Sequence, residues 1–220
     1  MKKKEWAGLV TGLAGYTGAA YAGVLLQRKI LPGMAPVGRV FAMIAITWFG
    51  LLVPAVIAAL LKDRPGEYGF AKEHLWKQVM TGITMGLCTS AAVMFVPYLL
   101  GAGELMDNGR RYRQVWQYLA DFGYCIAAVG VVEEMVFRGF AWTRLKRIGW
   151  PDWAVLAGTS TAFGLVHLMG GNWMQAVVTG LYGALLCVCR MKIPNCTTLS
   201  LIFCHGIHDA MISVFSSMLF

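Results

Sequence analysis

Long runs without a charged side chain constrain this chain more than any other feature. Trp6 to Leu26, Phe41 to Leu61 and Val79 to Leu100 carry none. Each reaches the roughly 20 residues that an α-helix needs to cross about 30 Å of hydrocarbon. Four more stretches follow: one starting near Tyr118, then Trp153 to Met169, Trp173 to Cys189 and Thr197 to Phe220. In lipid every backbone N–H and C=O must be satisfied within the segment, so runs of this kind fold as helices. The sequence therefore predicts an all-α, polytopic transmembrane bundle of about seven spans. The fifth and sixth are short enough to be tilted or partly re-entrant. Only 14% of the 220 residues are charged, against about 25% in soluble domains, too few to cover a water-facing surface.

Lys2, Lys3 and Lys4 precede the first run and resemble the start of a signal peptide. That run is longer than a typical signal-peptide core, so a retained helix is expected. With the amino terminus inside, six of the 19 Lys and Arg fall outside: Arg28, Lys29, Arg39, Arg110, Arg111 and Arg113. The remainder fall inside, so the positive-inside bias predicts a cytoplasmic amino terminus in the cell (inner) membrane. The net charge of +8 then reflects topology and contact with anionic lipid. No basic patch interleaved with aromatics points to a nucleic-acid partner. Cys88, Cys125, Cys187, Cys189, Cys196 and Cys204 form no paired C-x-x-C clusters and read as small buried hydrophobes. Lys62 to Lys77 mixes charges with Tyr68, Phe70, Leu75 and Trp76, as an interfacial amphipathic piece would. His74 lies in it without an evident function.

The informative residues are polar groups where polarity is costly. An ionisable side chain at mid-membrane costs on the order of 3 kcal/mol, and such groups usually pair or line a site. The fourth span carries Glu133, Glu134 and Arg138. Glu134 and Arg138 are four residues apart and can pair on one helix face. Glu133 is rotated about 100° from Glu134 and is free to point elsewhere. A turn around Gly149, Trp150 and Pro151 joins this span to the fifth. Glu133 and His167 lie equally far from Trp150, so in two straight antiparallel helices they sit at one depth, roughly 25 Å from the turn. His205 and Asp209 share a face of the seventh span, with His208 beside them and Gly206 thinning the helix. Ala176, Gly180 and Ala184, with Gly183, make the sixth span a small-residue stripe suited to close helix packing.

Glu133-Glu134-x-x-x-Arg138, Phe163-x-x-x-His167 and His205-x-x-x-Asp209 together resemble the signature of the CAAX-protease and bacteriocin-processing family, also called the Abi family. These are intramembrane endopeptidases. The resemblance covers about the last 100 residues. It implies a division into residues 1–115, transmembrane helices with an interfacial loop, and residues 116–220, a catalytic four-helix core. It also implies that Glu133, helped by His167, activates a water. His205 and Asp209 would stabilise the oxyanion, with Asp209 holding His205 charged, since an anionic carboxylate is itself a poor oxyanion donor. The family often has Asn at that last position. Glu134 and Arg138 would support the helix. The substrate implied is a membrane-associated peptide or protein, lipidated or not, and no cofactor is required. Glu133, His167 and His205 also offer a two-histidine, one-carboxylate set of the kind that binds catalytic zinc, though without the short H-E-x-x-H spacing. A non-catalytic scaffold or immunity protein would not need all three residues, and a proton-coupled transporter would be expected to show broken, repeated helices.

Overall fold

A computed structural model describes residues 2–169 and 171–220. Gly170 to Asn172, the connection between the fifth and sixth predicted spans, falls partly outside them. Among the described residues there are helices and no strands. α1 is Lys2–Ile30 and α2 is Pro36–Leu60, tightened midway by a 3-10 turn at Phe49–Leu51. α3 is Leu75–Leu99, and α4 runs over 115–148. α5 is Asp152–Val166, followed by a 3-10 turn at His167–Met169. α6 is Trp173–Lys192 and α7 is Thr198–Leu219.

Five of these helices, α1, α2, α3, α6 and α7, are long and apolar enough to cross a membrane. α4 is long but carries Asp121, Glu133, Glu134, Arg138 and Arg144. α5, at 15 residues, rises only about 22 Å, less than the hydrocarbon thickness. The two helices that fall short are those the sequence loads with ionisable or short segments. The protein is an integral membrane protein with an inverted surface. Phe41, Leu60, Trp76, Leu99, Trp153, Trp173 and Leu181 are exposed, whereas Glu134, Arg138 and Arg144 are fully buried.

Small residues set the helix contacts, as expected where lipid offers no hydrophobic drive between helices. α7 lies at the centre. α3 runs along it, with Gly82 and Gly86 against the carbonyls of Ser200 and Cys204. On the other side α4 crosses α7 at Gly206, where a Cβ would lie 2.5 Å from the Ile126 backbone. α5 and α6 meet at Gly164 and Gly180, the stripe read from the sequence. The α4–α5 turn needs a left-handed residue, and Gly149 supplies it at φ 101°, a conformation that costs glycine little.

The two ends of the bundle differ. At one, Trp6 packs on Trp150 and Glu5 pairs with the buried Arg144 at 2.7 Å. Asp63 pairs with both Arg144 and Arg147. The loop over 62–74, expected as an interfacial amphipathic piece, folds onto this end of the bundle. Pro65, Gly66 and Gly69 break the chain into one 3-10 turn, Tyr68 is buried, and the Tyr68 and Gly69 carbonyls accept from Thr198. At the opposite end the 100–114 segment is tied to α7 by Asn108–Ser216 and Tyr112–Ser217 hydrogen bonds. There Arg111 bonds Asp107 at 2.7 and 2.9 Å. Those bonds, with the Gly109 N–H and the Ser216 hydroxyl, hold the Asp107 carboxyl below the usual carboxylate range.

Candidate active site

α4, α5 and α7 bring together every ionisable residue singled out in the C-terminal half. α4 reaches the site through two stretches of wider, π-helical turns, Cys125–Gly130 and Met135–Ala141, which flank the α-helical Val131–Glu134. Such turns often occur at functional sites. Here they leave Glu133 and Glu134 on a short regular segment facing different neighbours.

Glu134 and Arg138 pair at 2.8 Å with neither exposed, the contact their spacing allows. The Arg138 guanidinium also lies 4.5 Å from the centre of the Phe163 ring, a cation–π contact. Gly183 of α6 leaves room for it, since a Cβ there would sit 2.9 Å from Arg138 Nη2. Glu134 does more than pair along its own helix. Its Oε1 accepts from His205 Nδ1 at 2.7 Å, so it orients the α7 imidazole from across the bundle.

His205 is thereby turned with Nε2 toward two more carboxylates. Asp209 Oδ2 lies 3.5 Å away and Glu133 Oε2 3.6 Å away. The closest orienting contact of His205 is therefore Glu134, and Asp209 sits on the ring's far nitrogen. With carboxylate oxygens facing both nitrogens, the ring suits an N–H on each. Phe163 and Tyr182 wall it in edge-on.

His167 approaches Glu133 Oε2 at 4.0 Å through Nε2. The end of α5 sets its tautomer. Where the helix tightens to a 3-10 turn, the His167 backbone N–H turns to the carbonyls of Gly164 and Leu165. The Phe163 carbonyl instead lies 2.8 Å from His167 Nδ1. A carbonyl only accepts, so Nδ1 carries a hydrogen, and in the neutral ring Nε2 presents a lone pair. Glu133 Oε2 is buried and has no hydrogen-bond partner among the described residues. A carboxylate oxygen and an imidazole lone pair thus converge with no donor between them, an arrangement that a water's two hydrogens would satisfy.

A cavity of about 750 Å³ lies against this group and is lined by His167, His205 and Asp209. Val93, Val178, Leu181, Leu185 and Ile212 make it largely apolar, while Arg110 and Asn108 add polar groups from the 100–114 segment. It is within the size range of small-molecule sites. Its lining places it toward the end opposite Lys2. His208 also lines it, bonded to Thr89 at 3.0 Å and stacked on Tyr182 at 4.2 Å.

Residues 115–211 match the family model Rce1-like, described as type II CAAX prenyl endopeptidase Rce1-like. Over this segment the chain is similar to that family. The match begins with α4 and ends just past Asp209, so it holds all of the converging side chains. No curated protein and no solved structure matches the chain. The description of that family, an endopeptidase acting on CAAX proteins, gives the kind of activity for which the converging side chains are considered. Among the described residues no group of three or more His, Cys, Asp and Glu is arranged to hold a metal ion.

Sequence spacing missed three parts of this site. The Glu134–His205 bond joins residues far apart in the chain, and no local pattern encodes it. Tyr182 shows only as one aromatic on a small-residue helix. α1 and α2 also share a pocket with Glu133, lined by Tyr16 and Thr47, though neither helix carries a motif.

Proposed function

We propose that the protein is an intramembrane endopeptidase in which Glu133 and His167 activate a water and His205 stabilises the oxyanion. The observation that carries this reading is the convergence of Glu133 Oε2 with the Nε2 atoms of His167 and His205, at 4.0 and 3.6 Å. A water bound between Glu133 and His167 gives them its two hydrogens and turns a lone pair toward the cavity. As that oxygen bonds the scissile carbonyl carbon, Glu133 takes one proton and the carbonyl π electrons move to oxygen. His205 Nε2–H faces the developing charge, where a preorganised donor is worth roughly 3–4 kcal/mol. Asp209 and Glu134 hold that ring in place. When the intermediate collapses, the C–N bond breaks and the amine leaves with the proton from Glu133. Glu134 and Arg138 act as positioning residues.

The largely apolar cavity suits a membrane-associated peptide with aliphatic side chains. Arg110, on its wall and also paired with Asp121, suits a peptide's C-terminal carboxylate. The family description makes a lipidated C-terminal tail the first substrate to try.

The test is cleavage of a fluorescence-quenched, farnesylated Cys-aliphatic-aliphatic-X peptide by the full chain in liposomes. Glu133→Ala and His167→Ala should each lower kcat by at least about 100-fold, the range of a lost general base, with an unchanged Tm. Full activity in either variant would sink the assignment. Loss of wild-type activity to a chelator, restored by zinc, would move Glu133, His167 and His205 to the role of metal ligands.

A further inference from the structure

Glu133 is reached from two sides. The histidines and Asp209 line the larger cavity, and Glu133 does not. Glu133 instead lines a separate slot of about 200 Å³ enclosed by α1, α2 and α4. Tyr16, Ala20 and Gln27 of α1, Thr47 of α2 and Tyr124 of α4 share that lining. None of His167, His205 and Asp209 borders it. Glu133 is therefore the partition: one side faces the slot, while Oε2 meets the histidines on the cavity side.

Tyr16, Gln27, Thr47, Tyr124 and Glu133 give an otherwise apolar slot the polar partners that a bound water needs. Its hydroxyls are arranged in sequence. Thr47 Oγ1 donates to the Met43 carbonyl at 2.9 Å, which leaves its oxygen to accept from Tyr124 OH, 3.2 Å away. The Tyr124 oxygen keeps its own lone pairs for the slot. Tyr16, the slot's one hydroxyl on α1, is held by edge-on packing against Phe137 at 5.4 Å. Gln27 precedes Arg28 and Lys29, the charges that mark the aqueous end of α1. From Gln27 to Tyr16 the helix rises roughly 16 Å, so the lining extends from the water interface to the carboxylate. At about 30 Å³ per molecule the slot has room for about seven waters at most. It is smaller than the roughly 300 Å³ at which ligand pockets begin.

We propose that this slot holds a reserve of water and passes it around Glu133 to the position between Oε2 and His167, so that water and substrate reach that position by separate routes. The inference rests on the protease reading above. Hydrolysis consumes one water per bond: its OH joins the carbonyl carbon and its other hydrogen leaves with the amine. An apolar substrate seated in the larger cavity seals that approach, and the slot supplies the next water without requiring the cavity to empty. Tyr16, Thr47 and Tyr124 are then positioning residues for water.

Two measurements on the full chain in liposomes test this. The first is cleavage of the farnesylated quenched peptide by Ala20→Leu, which fills the slot, and by the near-isosteric Thr47→Val, which removes a hydroxyl. Ala20→Leu should lower kcat at least tenfold and Thr47→Val about threefold, each with KM within twofold of wild type and an unchanged Tm. The lipid-facing control Val10→Leu should leave both constants unaltered. The second is radiolytic hydroxyl-radical footprinting, which marks side chains beside bound water. Tyr16 and Tyr124 should oxidise although Tyr16 is only 4% exposed, the buried Phe140 should not, and Ala20→Leu should suppress the Tyr16 signal. Wild-type kcat in both variants, or Tyr16 as unreactive as Phe140, overturns the proposal. Should Ala20→Leu fail to fold, Thr47→Val and the wild-type footprint still decide it. If the wild-type chain cleaves no peptide, the protease reading fails, while the footprint still reports on water in the slot.

Discussion

At the scale of single residues, the deepest commitment is the buried triad of Glu134, Arg138 and His205. Removing one member of a buried ion pair leaves the other charge uncompensated and costs about 3–5 kcal/mol. Glu134 has two partners to lose, Arg138 at 2.8 Å and His205 at 2.7 Å. Glu134→Ala should therefore lower Tm sharply, by more than Glu133→Ala, whose Oε2 has no hydrogen-bond partner among the described residues. Adding Arg138→Met to Glu134→Ala should recover part of the loss, because no orphaned guanidinium remains. A thermal melt of the two single variants and the double variant checks this, and a Glu134→Ala melt equal to wild type would refute it. The same triad shows what sequence can and cannot carry. The Glu134–Arg138 pair was legible because a helix fixes which neighbours meet. The level placement of Glu133 and His167 was legible because both count back to one turn. Glu134's bond to His205 was not, because it depends on how α4 and α7 rotate about their axes.

At the scale of elements, that rotation is set by where backbones touch. α4 and α7 cross with Gly206 against the Ile126 backbone and Gly130 against the Ile202 carbonyl, 2.6 Å from an ideal Cβ. The contact lies one residue from His205 and three from Glu133. Backbone has no rotamer with which to retreat, so a methyl group here must push the helices apart. Overpacking of this kind typically costs 1–3 kcal/mol. Displacing α7 would also lengthen the 2.7 Å His205–Glu134 bond and move Nε2 from the oxyanion. Gly206→Ala should thus lose stability by about that amount and lose kcat at least tenfold. Gly123→Ala is the fitting control, since a Cβ there meets nothing within 4 Å, and should match wild type in both assays. Wild-type kcat in Gly206→Ala would show that the crossing does not set the site. The sequence showed Gly206 as a thin place in a helix, but not which backbone filled it. The π-helical turns of α4 on either side of Glu133 left no mark in the residue pattern.

At the scale of the whole molecule, the site lies toward one end and the amino terminus lies at the other. Asn108 and Arg110 line the larger cavity, and Glu5 and Trp6 pack beside the α4–α5 turn at the far end. The cytoplasmic face therefore determines which substrates can reach the cavity. Six of the 19 cations stand at the cavity end. Arg138 and Arg144 are fully buried and hold no loop at a membrane surface, yet without them the amino-terminal end still has the majority. Retention of Lys and Arg on the cytoplasmic side then predicts an inside amino terminus and a cavity that opens outward. A membrane-impermeant maleimide added to intact cells should modify Asn172→Cys, and should reach Lys3→Cys only after permeabilisation, with the labelled peptides identified by mass so that the six native cysteines are told apart. In that arrangement the substrate presents its scissile bond on the outer face. The reverse pattern would place the cavity at the cytoplasmic surface, within reach of a lipidated tail on a cytosolic protein, and would mean that the 110–113 cluster, whose Arg110 and Arg111 are themselves acid-paired, outweighs the more numerous charges of the other end.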